Sequence, residues 1–152
     1  MELSYHYLLL LNHSVYQKKM YEELESLKLS IGQPKVFDFL YDHDGCIQKE
    51  IAIGCQIEPA SVTSILLTME KKGFIEKKYI GDNRRSHYVF LTEKGKEIAN
   101  LVRVAMLKVE KQVLENFSES EKEMLIYLLK KANYNLLGNT FIKGEHITPK
   151  KK

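Results

Sequence analysis

The sequence predicts a mainly α chain with one small β-hairpin. Three observations carry that expectation. Apolar residues recur at helical spacing near both ends of the 152 residues. Short helical segments with start and stop signals fill the middle. After Gly73 the pattern changes to aromatic and β-branched residues typical of strands.

The N-terminal helix is expected over residues 3–26, where Leu8, Leu11, Val15, Tyr16 and Met20 fall at helix-like intervals. Residues 30–33 resemble a capping box, with Pro34 in the first turn of the next helix, where its missing N–H does little harm. Val36, Phe37, Phe39 and Leu40 form its apolar side, and Asp42-His43-Asp44-Gly45 ends it. A second short helix spans residues 48–55, with Ile51 and Ala52 inward. Glu58-Pro59 opens a third, since proline is favoured in a first turn. Its buried stripe is Val62, Ile65, Leu66 and Met69, and Gly73 stops it.

Residues 74–80 and 87–91 read as two strands. Gly81-Asp82-Asn83-Arg84-Arg85-Ser86 is expected as the polar turn between them. Thr92 is suited to cap a long helix. Ile98, Leu101, Val102, Ala105, Met106, Val109, Val113 and Phe117 form its single apolar stripe. That helix extends beyond what a small domain can cover, so its apolar side is expected to be a dimer seam. Ser118-Glu119-Ser120-Glu121 is a capping box for the last helix, whose stripe is Leu125, Leu128, Leu129, Ala132 and Leu136. Gly138 and Asn139 end it.

Composition narrows the function classes. Hydrophobic residues make up 44% and charged residues 28%, and mean hydropathy is −0.30, as in ordinary folded domains. The longest apolar runs, residues 7–11 and 125–129, are far short of the ~20 needed to span a bilayer, so no membrane partner is expected. Glu2 and the lack of an early cation do not suit a signal peptide. Cys46 and Cys55 make no secreted disulfide framework and are expected as small buried hydrophobes. The expected location is cytoplasmic. The net charge is +3, and the last ten residues alone, with four Lys against one Glu, carry that excess. A basic pI near 8.7 therefore says little by itself about nucleic acid.

Catalytic signatures are missing. There is no P-loop, G-x-S-x-G, H-E-x-x-H or G-x-G-x-x-G. His6, His13, His43, His87 and His146 form no ligand spacing with each other or with cysteine, so no metal and no cofactor is expected.

Three short helices followed by a hairpin make the winged helix-turn-helix pattern. The second helix of the turn projects at an angle that suits the DNA major groove. Contacts to nearby phosphates fix its register, and the hairpin tip reaches a neighbouring groove or backbone. On its residues alone, the third helix offers modest base readout through Ser61, Thr63, Ser64 and Thr68, with Leu67 against a thymine methyl. Phosphate affinity is expected from Gln48, Lys49, Lys71, Lys77, Lys78, Arg84 and Arg85.

The chain also resembles the MarR family of bacterial transcriptional regulators. The resemblance runs from about Leu29 to Leu101. It is carried by Gly32-Gln33-Pro34-Lys35-Val36, Gln48-Lys49-Glu50-Ile51-Ala52, Ile57-Glu58-Pro59-Ala60-Ser61-Val62-Thr63 and Met69-Glu70-Lys71-Lys72-Gly73-Phe74-Ile75. It continues in Asp82-Asn83-Arg84-Arg85-Ser86 and Val89-Phe90-Leu91-Thr92-Glu93-Lys94-Gly95. The resemblance implies a recognition helix over residues 59–72, starting with Pro59 and Ala60, and a wing-tip pair in which Asp82 orients Arg84 for the minor groove. It implies a homodimer that binds double-stranded DNA at a pseudo-palindromic operator, with recognition helices about 34–36 Å apart. It further implies a repressor that responds to a phenolic or other small molecule, with Tyr7, His13, Tyr16 and Arg103 on the helices framing that site. Ser64 and Thr68 stand where many members carry Arg or another polar recognition residue. Neither cysteine lies in the N-terminal helix that carries the reactive thiol of the peroxide-sensing branch. The expected organisation is an N-terminal dimerisation helix (1–28), the winged domain (29–91), C-terminal dimerisation helices (92–138) and a flexible basic tail (139–152). The alternative is a winged-helix module for protein assembly that binds no DNA.

Overall fold

A computed structural model describes residues 3–81 and 83–138, and gives the backbone alone for residues 83–85. The expected tail, 139–152, lies outside the described residues. The chain divides into two compact units, Met1–Val109 and Glu110–Lys152.

The first unit opens with α1 (Tyr5–Glu23) and a single 3-10 turn, Glu25–Leu27. Three short helices follow: α2 (Gln33–Asp42), α3 (Gln48–Cys55) and α4 (Pro59–Lys71). The hairpin comprises β2 (Ile75–Ile80) and β3 (Asn83–Leu91), and α5 starts at Glu93. The expected class, mainly α with a small β wing, is the observed one.

Local chemistry explains the boundaries. The start of α2 departs from the expected capping box. Gln33 Oε1 does accept from the Ser30 N–H at 3.0 Å. The N-cap, however, is Gly32, at φ +88, a left-handed conformation that glycine tolerates best. A side chain there would also press on Ile65. Pro59 is the first residue of α4, as its fixed φ suits. Thr92 Oγ1 accepts from the Gly95 N–H at 3.0 Å and so caps α5.

Two features of the sheet were not expected. A two-residue strand, β1 (Cys46–Ile47), pairs antiparallel with β3, so the order is β1-β3-β2. Cys46 faces Val89, and Ile47 faces Tyr88. Asp44 Oδ1 accepts from the Leu91 N–H at 2.7 Å and pins the far end of β3. The hairpin turn is also shorter than expected. β3 begins at Asn83, which pairs with Ile80, so Asn83, Arg84, Arg85 and Ser86 belong to the strand. β2 ends at Ile80, and Gly81 follows it at φ +62.

The core of this unit gathers Val36, Phe37 and Leu40 of α2, Ile51 of α3, Val62, Leu66 and Met69 of α4, and Val89 of β3, all essentially inaccessible to solvent. Phe37 meets Phe74 edge-to-face with centroids 5.4 Å apart. Ile65, expected in the buried stripe, is half-buried.

α5 (Glu93–Val113) has two apolar sides where one stripe was expected. Ala99, Val102, Ala105 and Val109 are buried within the chain. Leu101, Val104, Leu107 and Val113 are exposed. The single expected stripe mixed the two, because a helix with apolar residues on more than half its girth has no unique apolar face.

The second unit holds α6 (Glu119–Leu137), and no residue of that helix is buried. Its capping box is as expected. Glu121 N–H donates to Ser118 Oγ at 3.3 Å, and Ser118 N–H donates to Glu121 Oε2 at 2.7 Å. The Ser118 N–H and the Ser118 hydroxyl, which donates to Glu121 Oε2 at 2.8 Å, hold the Glu121 carboxyl below its ordinary pKa.

Candidate nucleic-acid interface

The geometry rests on α3 and α4, whose axes are bent by 113° at a short break. That lies within the range of a helix-turn-helix. α4 turns Val62, Leu66 and Met69 into the core. Its other side exposes Pro59, Ala60, Ser61, Thr63, Ser64, Leu67 and Lys71, with Thr68 half-buried beside them. Small and hydroxyl side chains leave the helix slim enough for a close approach to a groove. The core thus holds α4 by one face and leaves the face named from sequence open.

Two of its hydroxyls are already committed. Thr63 Oγ1 donates to Pro59 O, and Thr68 Oγ1 donates to Ser64 O, each at 3.1 Å. Each oxygen is therefore left with acceptor capacity alone. Gln48, the first residue of α3, crosses to α4 and donates from Nε2 to Thr63 Oγ1.

The cations differ in how free they are. Lys49 and Lys71 are exposed and make no ion pair among the described residues. Lys77 pairs with Glu70 at 3.1 Å, and Lys78 with Glu76 at 2.5 Å. Lys78 also lies 5.6 Å from the Phe90 ring centroid. Surface pairs of this kind are worth ~1 kcal/mol or less. Arg84 and Arg85 are the second and third residues of β3, at the wing's turn. Asp82 lies outside the described residues.

The end of α4 is braced by contacts that sequence reasoning missed. Lys94 Nζ donates to Lys72 O at 2.9 Å, and Lys72 Nζ to Lys28 O at 3.4 Å. Lys94 Nζ also sits 4.9 Å from the Phe74 ring centroid. Lysines at a helix C-terminus satisfy its last carbonyls. The signal was visible only as Lys residues near Gly73, with nothing to show which carbonyl each would reach.

The residues expected around an effector occupy α1 and α5. His13 is exposed, while Tyr7 and Tyr16 are half-buried. Tyr16 Oη donates to Met106 O at 3.4 Å and so ties α1 to α5. Arg103 is engaged by α2. Its Nη2 donates to Asp42 Oδ2 and, at 3.2 Å, to Asp38 O. Its Nε lies 2.8 Å from Asp38 Oδ1 as a charge contact. The guanidinium also stands 4.5 Å from the Tyr41 ring centroid. Burial raises the Asp38 pKa, and Arg103 opposes that rise. The partners Asp38, Tyr41 and Asp42 were not foreseen, because residues some 60 apart share no local pattern.

Cys46 and Cys55 are buried and unpaired as thiols, as expected. Burial pushes each thiol up to about 12, so neither is a thiolate near neutral pH. Among the described residues no group of His, Cys, Asp or Glu could hold a metal ion. No single described helix is long and apolar enough to cross a membrane.

This arrangement defines a winged helix-turn-helix protein. The MarR family pattern matches residues 29–87. The HTH-type transcriptional regulator YwoH of Bacillus subtilis is 29% identical over 113 residues, covering 74% of this chain and 82% of YwoH. The MepR–DNA complex of Staphylococcus aureus has a TM-score of 0.78 and 26% identity, covering 89% of this chain and 99% of that one. A MarR-family regulator from Listeria monocytogenes, solved with a 26-mer DNA, shares the fold over 99% of this chain and all of its own, with a TM-score of 0.81 and 22% identity. Over residues 29–87 the chain is similar to the MarR family of transcriptional regulators.

Proposed function

We propose that the protein is a dimeric, sequence-specific DNA-binding regulator, a ligand-responsive repressor acting on a pseudo-palindromic operator in the cytoplasm. One observation carries this reading. α4 is held by its apolar face and leaves a slim hydroxyl-rich face open, bordered by Lys49 and Lys71, which make no ion pair among the described residues. In this reading Pro59, Ala60, Ser61, Thr63, Ser64 and Thr68 meet the major groove. Lys49, Lys71, Arg84 and Arg85 meet backbone or minor groove, with Asp82 orienting Arg84.

The bare apolar surface of α6 supports pairing of two copies, since an uncovered helix of this kind needs a partner. The assigned division is then a dimerisation helix (1–28), the winged domain (29–91), dimerisation helices (92–138) and a tail (139–152). Tyr7, His13, Tyr16 and Arg103 are the residues assigned to an effector. A ligand that draws Arg103 from Asp38 and Asp42 would loosen α2 from α5 and so shift the reading helices. The protein works by binding and carries out no catalysis.

Footprinting and gel shift on the DNA upstream of its own gene test the reading. The expected result is a protected near-palindrome, with binding that falls steeply as salt rises. No binding at low salt would leave the protein-assembly module as the better account.

A further inference from the structure

The contact between α3 and α4 assigns a second reading residue. We propose that Gln48 reads a base, with a preference for adenine, and that Thr63 holds its amide in the reading orientation. This rests on the DNA-binding function proposed above.

The argument begins with one proton. Thr63 Oγ1 carries a single hydrogen and donates it to Pro59 O at 3.1 Å. Toward Gln48 the oxygen can therefore only accept. Gln48 must then turn its NH2, not its carbonyl, toward Thr63, as the contact shows. A surface glutamine amide otherwise chooses freely between two orientations. Here the neighbouring helix makes the choice.

What remains of the amide is specific. Nε2 keeps a second N–H, and Oε1 keeps both lone pairs. Together they form one donor and one acceptor in a plane. Adenine offers the complement in the major groove, an N6 amino donor beside the N7 acceptor. Guanine offers two acceptors, O6 and N7, and one would face Oε1. A phosphate oxygen would take the N–H alone and leave Oε1 without a donor.

Location agrees. Thr63 is exposed on α4, with Ala60 and Leu67 one turn to either side on the same open face. The Gln48 amide thus rests on the face of α4 that a groove would meet. Thr63 acts as a positioning residue, and Gln48 as the reader.

Selection from randomised duplexes, followed by anisotropy titrations, tests this. The proteins are the full chain, Gln48→Ala, Thr63→Val and Thr63→Ser. The unmodified chain should select a motif containing an adenine whose exchange for guanine weakens binding about tenfold or more. Gln48→Ala should lose that preference. Thr63→Val should reduce it to about threefold or less, with helical content and melting unchanged, and Thr63→Ser should restore it.

An adenine preference intact in Gln48→Ala overturns the proposal. So does a Gln48→Ala protein that weakens equally on all duplexes with a shallower salt slope, which would make Gln48 a phosphate contact. A preference lost in Gln48→Ala but kept in Thr63→Val removes the positioning role. If the unmodified chain selects no motif, the DNA-binding function itself fails, and this assignment falls with it.

Discussion

α4 and α6 are both apolar-striped helices, and both show much of themselves to the outside, for opposite reasons. α4 places Val62, Leu66 and Met69 in the core and leaves mainly Ser, Thr and Ala outside. α6 buries nothing and leaves Met124, Ile126, Tyr127, Leu128 and Leu129 exposed. In α4 the burial problem is solved within the chain, so its open face is free for something other than packing. In α6 burial is unsolved within the chain, so its open face calls for more protein. One region is finished and polar, the other unfinished and apolar. That contrast separates the part assigned to DNA from the part assigned to pairing.

The contrast breaks most sharply at α6. Met124→Glu with Leu128→Glu places two charges on one exposed row. If that row is a dimer seam, each unpaired buried charge costs roughly 3–5 kcal/mol. Sedimentation should then show monomers that keep their helical content and lose specific DNA binding. Unchanged assembly would mean that α6 is not the seam. Val109 and Val113 are a poorer choice for this test, since Val109 is buried within the chain itself and a charge there would damage the fold.

The finished region responds differently. Leu66→Ala should lower unfolding stability by about 2–5 kcal/mol in denaturant melts, because α4 is held by its core face. A loss below ~1 kcal/mol would mean that this face is not what fixes the helix. A surface change on the wing should spare stability. Arg84→Ala should weaken operator binding about tenfold, within the range for a single DNA contact, at unaltered circular dichroism. Equal affinity for the two proteins removes the wing from the mechanism.

The smallest effect lies at the start of α6. Ser118→Ala removes the cap and should cost about 1 kcal/mol. The pH dependence has a definite sign. The Glu121 carboxyl is held below its ordinary value of 4.5 by the Ser118 N–H and hydroxyl. Its contribution is therefore present above pH 4.5 and is lost as pH falls through the lowered value. Acid titration of Glu121→Gln should lack the step seen in the unmodified chain. An identical titration would show that the capping box does not persist in solution.

Much of this is legible in the sequence itself. Proline at position 59, Thr92 before a long apolar period and Ser118 with Glu121 act within four residues, and each ended or began a helix as expected. The failures share a different origin. β1 has two residues and exists only because β3 lies beside it, so no local period could reveal it. α5 carries apolar residues on two sides, and spacing alone cannot say which side the chain itself covers. At the site, the open row of α4 followed from helical periodicity. The Gln48–Thr63 bond and the Arg103–Asp42 pair did not, because each joins residues that only the tertiary fold brings together.

The central claim is that two copies, paired through surfaces the single chain leaves bare, present α4 to one duplex. Sedimentation equilibrium of the protein with a labelled duplex from its own upstream region, at low and at physiological salt, tests this most directly. The account predicts two protomers per duplex and an association constant that drops steeply with added salt. One protomer per duplex, or free DNA at low salt, would contradict it.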